Sequence, residues 1–362
     1  MSYLLAAAGF AVLIILHEFG HFVAAKATGM RVERFFLFFP PKIASVRRGE
    51  TEYGIGAIPL GGFVKITGMN PEEKLDPEVA PRAYYHQPVW KRIVTIAAGP
   101  AVNLLIAFVM LYALAFGVRE LDDTVGEVES GYPAAAQLQP GDRILSVDGE
   151  DLSGLPVDQR LERFARLVAS HECAGEPTDG CRATTPARIE VDRDGQVMTL
   201  SMRPVYDAEV ERTRLGFAYG STALDPSAGE AAERSLDFMW LVTSNTVSTI
   251  AQIFDPEKRD EISGVVGGYE VTRQAIEFDT RQALTLIAVI SLSLGVINLF
   301  PFLPLDGGHI FWSLVEKARG RPVPFSVIER ASVVGFMLVL LLFAVGLSND
   351  IGRLTGEGFD VR

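Results

Sequence analysis

Cysteine is almost missing from this sequence, with Cys173 and Cys181 the only two. Two thiols do not make a zinc site, so metal binding there is not expected. In an oxidising compartment they can close the stretch Cys173-Ala-Gly-Glu-Pro-Thr-Asp-Gly-Cys181 as a disulfide; otherwise they stay as free thiols. Lysine and arginine are absent ahead of the first apolar run, and no small-residue cleavage site follows it. A cleaved signal peptide therefore fits the first run poorly. Basic residues are also short overall, leaving a net charge of −12, and no nucleic-acid partner is expected.

Apolar residues are plentiful instead, at 48% of the chain, and they collect in four blocks: Leu4–Ala25, Ile93–Val118, Ala283–Phe302 and Ala331–Leu347. Each is near the roughly 20 residues that a helix needs to cross a bilayer. Basic residues outnumber acidic ones across 28–91, and the link between blocks three and four adds Lys317, Arg319, Arg321 and Arg330. Segment 119–282 holds thirty-one Asp/Glu against sixteen Lys/Arg. The positive-inside rule then puts 28–91 and 303–330 on the cytoplasmic side, with both termini and the middle segment outside. The expected division is a first span at 1–27, a cytoplasmic-side segment with a β-hairpin at 28–91 and a second span at 92–118. An inserted β-rich domain follows at 122–220, then an exterior amphipathic helix and linker at 226–282. A third span with its Asp-Gly motif and cytoplasmic link occupies 283–330, a fourth span 331–348 and an exterior tail 349–362.

Block one is broken by polar residues: His17-Glu18-Phe19-Gly20-His21 is an HExxH. On a helix the i, i+4 spacing stacks both imidazoles on one face, where they can bind one zinc ion. Glu18 is then placed to take a proton from water and deliver it to a leaving amine. Two histidines and a carboxylate are costly inside a membrane span and point to function. A catalytic zinc takes three protein ligands. The stretch Asn298-Leu-Phe-Pro-Phe-Leu-Pro-Leu-Asp306-Gly-Gly-His309 offers Asp306 or His309 as the third, in backbone that prolines and glycines break at membrane depth.

Together, HExxH in a first span and a later NxxPxxxLDG-type stretch resemble the site-2 protease family of intramembrane metalloproteases, in its bacterial RseP-like branch. The resemblance implies that His17, His21 and Asp306 hold Zn2+, that Glu18 is the catalytic base, and that Asn298 helps to hold substrate. One departure is Leu303, where the family usually has proline; Pro304 follows. The resemblance also implies multi-pass residence in a bacterial inner membrane, the active site toward the cytoplasm. Segment 52–68 is glycine-rich and corresponds to the family's membrane-associated β-hairpin, so Gly54, Gly56, Gly61 and Gly62 are expected to line a substrate strand held by β-augmentation. Ala98-Gly99-Pro100-Ala101-Val102-Asn103 resembles the family's GPxxN stretch and is read as structural support for the site.

The segment 124–149 alternates short β-type runs with turn signals and resembles a PDZ domain of the bacterial protease type. Arg193-Asp194-Gly195 marks a hairpin, and Leu215-Gly216-Phe217 resembles a PDZ peptide-binding loop, placed late as in circularly permuted forms. Its role is either to bind peptide C-termini or to act as a size filter. Residues 228–254 read as a helix along the outer membrane face, and Ile262–Gly267 is similar to the family's SGP stretch, with Val265 in place of proline. His86 and His171 are expected at the surface. The fold class is thus a polytopic α-helical membrane protein of four transmembrane helices, with a membrane-associated β-hairpin and an inserted β-rich PDZ domain. The activity implied is zinc-dependent intramembrane endopeptidase action on single-span transmembrane proteins, in regulated intramembrane proteolysis or in clearing remnant signal peptides. A non-catalytic membrane-anchored PDZ scaffold is the alternative, and a metal transporter a weaker one with no use for Glu18.

Overall fold

The first apolar block forms one helix, α1 (Ser2–Ala27), in a computed structural model that describes residues 1–70, 72–252, 255, 262 and 264–356. Thr28 closes it by donating its hydroxyl to the Ala24 carbonyl (2.8 Å). Two long strands follow, β1 (Val32–Arg48) and β2 (Thr51–Ile66). They pair antiparallel as a hairpin, and 52–66 lie within one of its strands, but the register doubles back. Leu37 lies opposite both Gly62 and Ile55, and Gly54 opposite both Phe36 and Ser45. A lone two-stranded hairpin is marginal in water, and doubling back supplies extra lanes of pairing. Residues 62–66 become an outer lane, paired only with 32–37.

The chain then makes two short 3-10 turns, Ala80–Arg82 and Tyr84–His86, before α2 (Val89–Ala115). This span starts three residues ahead of the expected 92, because Lys91 and Arg92 both donate backbone N–H groups to the Pro88 carbonyl. Phe116–Pro226 is a compact unit of its own. It contains β3 (Arg119–Val128), α3 (Ala134–Gln137), β4 (Arg143–Val147), β5 (Glu150–Asp151), α4 (Val157–Ala169), β6 (Ala187–Arg193), β7 (Gln196–Met202), β8 (Val205–Asp207), β9 (Arg212–Arg214) and β10 (Phe217–Ala223). The main sheet runs β10-β3-β4-β6-β7. Its core is an alternating set, including Ala187, Ile189 and Val191 on β6, packed with Ile144, Phe164 and Met202. The expected β6–β7 hairpin is present: Arg193 pairs with Gln196, and Asp194 and Gly195 both take positive φ, as a type I′ turn requires. Arg193 also holds buried Asp142 through two contacts of 2.6 Å. Cys173 and Cys181 are joined as a disulfide.

The remaining helices are α5 (Ala228–Ala251), α6 (Val265–Phe278), α7 (Thr280–Asn298), α8 (Asp306–Arg319) and α9 (Phe325–Thr355). Among the described residues, α1, α2, α7 and α9 are long and apolar enough to cross a membrane. Three expectations change. The outer-face helix α5 packs against α2 and α7 instead, with Met239 and Val242 on a cluster of Ala107, Leu292 and Val296. The expected linker contains a whole helix, α6; Ser263 of the SGP-like stretch lies outside the described residues, as do 253 and 254 at the end of the helical segment. The tail after Leu347 is helical through Thr355, and its Asp350, fully buried, accepts the Gly264 and Gly267 backbone N–H groups at the start of α6.

Candidate active site

The helical spacing of α1 sets His17 and His21 edge to face, with ring centroids 4.9 Å apart. His21 is oriented from behind: its Nδ1 lies 2.9 Å from the Thr95 carbonyl oxygen. A carbonyl only accepts, so Nδ1 carries the proton and Nε2 keeps a lone pair facing His17. Room for that ring comes from a missing side chain on α2. A Cβ built on Gly99 would stand 2.2 Å from His21 Nε2, and one on Gly20 would stand 2.5 Å from the Ala98 carbonyl oxygen. The AGP stretch therefore admits the imidazole and lets α1 and α2 close together.

Asp306 arrives from the other end of the sequence. Helix α7 stops at Asn298, the chain turns through 299–305, and Asp306 is the first residue of α8. Gly307 and Gly308 allow the turn to fold back on the helix, since added Cβ atoms would meet Leu299 O at 2.2 Å and Leu303 N at 2.5 Å. A helix-capping role is the bland reading for an aspartate here, yet α8 has no side-chain cap. The carboxylate turns to the histidines instead.

The three Nε2 and Oδ2 atoms form a triangle. His17 Nε2 to His21 Nε2, His17 Nε2 to Asp306 Oδ2 and His21 Nε2 to Asp306 Oδ2 are each 3.3 Å. Zinc bound tetrahedrally at ~2.0–2.1 Å has ligand atoms about 3.3–3.4 Å apart. The triangle thus matches one face of a zinc tetrahedron, with the fourth corner left to water or substrate. Asp306 Oδ2 is buried without a hydrogen-bond donor of good geometry among the described residues, which suits an oxygen facing a cation. His309, the competing ligand, stands apart, lining a small cavity with Tyr84, Arg92, Ser313 and Glu316.

Glu18 faces the outer lane of the sheet. A Cβ on Gly62 would be 2.8 Å from Glu18 Cγ and 3.3 Å from Ile14 Cγ2. A carboxylate beside a two-histidine, one-aspartate zinc face is the donor set of a metallopeptidase. The profile of Peptidase family M50 matches residues 5–342. The chain belongs to peptidase family M50.

The M50 membership extends to named relatives. Zinc metalloprotease Rip1 of Mycolicibacterium smegmatis is 32% identical over 397 residues, covering 91% of this chain and 93% of its own. Zinc metalloprotease Rip1 of Mycobacterium tuberculosis is 31% identical over 378 residues, covering 90% and 92%. The protein is therefore a zinc metalloprotease of the site-2 protease family in a bacterial membrane, which removes the scaffold and transporter readings.

The expected glycines of the sheet fall into two groups. Gly61 and Gly62 sit where the outer lane passes α1, Gly61 with a φ of 143°. Gly54 and Gly56 lie inside the sheet, where added Cβ atoms would strike Ala44 O at 2.6 Å and Phe39 O at 2.2 Å. They make room for the chain's own backbone. Asn298 donates to the Leu294 carbonyl (2.9 Å) within its own helix. Leu303 is buried, and Gly335 of α9 is pressed onto it, with an added Cβ only 1.8 Å from its carbonyl oxygen. Asn103 is fully buried with neither amide atom hydrogen-bonded among the described residues. In the other unit, Leu215 is in the core, and its carbonyl and that of Gly216 accept from Ala134 and Glu129 N–H groups at 2.9 and 2.8 Å. Phe217 opens edge strand β10 and packs against Phe164 of α4. His86 is exposed, as expected. His171 departs from expectation: only 11% of its side chain is exposed, held 2.7 Å from Asp148 Oδ2 and 2.8 Å from Thr185 Oγ1.

Proposed function

We propose that the chain is an intramembrane endopeptidase, with Zn2+ held by His17, His21 and Asp306 and proton transfer carried by Glu18. The observation that carries this reading is the 3.3 Å triangle with Glu18 beside it. Bound zinc supplies Lewis acidity toward the scissile carbonyl and acidifies water. Glu18 receives the proton that water loses and returns it to the departing amine. Thr95, through its carbonyl, fixes the tautomer and direction of His21. An extended substrate segment lies along the outer lane at Gly61 and Gly62, adding a strand to the sheet and exposing a carbonyl that a helix would hide. Asn298, at the end of α7 and ahead of the turn that brings in Asp306, helps to hold that segment.

The substrates are single-span membrane proteins, because the reacting groups sit on helices built to lie within a bilayer. Cutting such a protein releases its cytoplasmic part, the chemistry of regulated proteolysis, or clears a remnant signal peptide. In the same reading, 28–91 and 303–330 face the cytoplasm and 122–220 is an exterior PDZ domain. An edge strand β10 following Leu215-Gly216 and flanked by α4 supports that identity, and the groove either takes a peptide C-terminus or screens substrates by size. The test is Glu18→Gln in detergent-solubilised protein with a single-span substrate. We expect zinc retained and cleavage reduced by at least ~10²–10⁴-fold. Normal cleavage by that variant would refute the assignment.

A further inference from the structure

We propose that Arg92 and Glu316 form a clamp that positions Asp306 against the two histidines, an inference that rests on the ligand assignment above. Arg92 is a charged side chain only 2% exposed, on α2, and its Nη2 lies 2.6 Å from Glu316 Oε1 on α8. The guanidinium also lies 6.0 and 5.6 Å from the ring centroids of Tyr84 and Tyr85. Each partner sits on an element that carries part of the site. Arg92 is one turn before Thr95, whose carbonyl orients His21. Glu316 is on the helix that Asp306 begins.

Helix α8 presents a polar stripe inward: Asp306 toward the histidines, then His309, Ser313 and Glu316 around the cavity beside Arg92. Asp306 and Glu316 are about 15 Å apart along the axis at ~1.5 Å per residue. At the Asp306 end, Gly307 and Gly308 seat the helix on the 299–303 turn. The ion pair fixes the far end. Without it α8 could rotate, and a slip of one residue turns Asp306 by roughly 100° about the axis. An apolar pair of similar volume commonly serves stability as well as a buried ion pair does, so the distinctive contribution of such a pair is registry. Here the registry set is that of the third ligand.

The experiment uses full-length protein in detergent and measures zinc affinity by competition with a chelator, the melting transition, and kcat and KM. Variants are Glu316→Ala, Arg92→Ala, and the apolar double Arg92→Met with Glu316→Leu. We expect zinc affinity to fall about tenfold or more in all three, as for supporting residues around a metal. The double should melt near the native protein, with kcat lowered and KM little changed. A double variant with native zinc affinity and native kcat would overturn the clamp, because packing alone would then suffice. If the single variants fail to fold, the double decides the question. His17→Ala is run alongside. Zinc retained there refutes the ligand assignment itself; zinc lost there, with the double unaffected, refutes only the clamp.

Discussion

Gly99→Ala should separate the metal site from the fold. The added methyl carbon would stand 2.2 Å from His21 Nε2, 2.6 Å from Cε1 and 2.8 Å from Cδ2. Ordinary contact is ~3.5 Å, so the imidazole must retreat by roughly 1.3 Å. Metal sites tolerate displacements of about 0.2 Å. The ring has little freedom to yield, since Nδ1 is held at 2.9 Å by the Thr95 carbonyl. The cost to the fold is much smaller. Overpacking costs ~1–3 kcal/mol, and alanine in a helix returns about 1 kcal/mol relative to glycine. The variant should therefore remain folded, melting within several degrees of the native protein, while binding zinc at least ~10–100-fold more weakly. The assay pairs zinc content after dialysis against a chelator with a circular dichroism melt. A Gly99→Ala protein that keeps one tightly held zinc and cleaves normally would refute the placement of His21.

Two further outcomes follow from the sheet. Gly62→Ala puts a carbon 2.8 Å from Glu18 Cγ, so zinc should stay stoichiometric while turnover falls roughly 10–100-fold from misplacement of the proton carrier; zinc analysis beside a cleavage assay checks this. The Glu50 pKa is held at about 2 by hydrogen bonds from Arg82 and Lys26, which tie the β1–β2 turn to the 80–82 turn and to α1. Its folded value lies below its unfolded one, so its stabilisation is complete above ~4.5 and is lost as pH falls toward 2. Solvent screening limits the effect to ~1 kcal/mol or less, and Glu50→Gln should flatten that part of a melting-temperature profile measured against pH.

Local patterns made much of this molecule legible in advance. His17, Glu18 and His21 are close in sequence, and helix periodicity alone puts both imidazoles on one face. Four apolar blocks of span length announced α1, α2, α7 and α9. Broken backbone at membrane depth singled out the 298–309 stretch, and the family resemblance chose Asp306 over His309 within it. Long-range pairing was not legible. Nothing within 32–66 says that Leu37 faces two partners, because strand register depends on what each lane meets. Gly54 and Gly61 look alike as residues, yet one makes room for backbone inside the sheet and the other bends an edge. Arg92, Glu316 and Asp350 carry no local signal in the sequence. Their roles exist only through partners at least 80 positions away. Asn103 stood within a stretch read as structural, and only its burial without partners sets it apart.

The central claim is that His17, His21 and Asp306 hold the zinc. Zinc X-ray absorption on the purified protein tests it most directly. About one zinc per chain is expected, with a nitrogen and oxygen shell near ~2.0–2.1 Å, two imidazoles and no sulfur near ~2.3 Å. Zinc should be lost from His17→Ala and from Asp306→Ala. A sulfur shell, or an unchanged two-imidazole spectrum in His17→Ala, would contradict it.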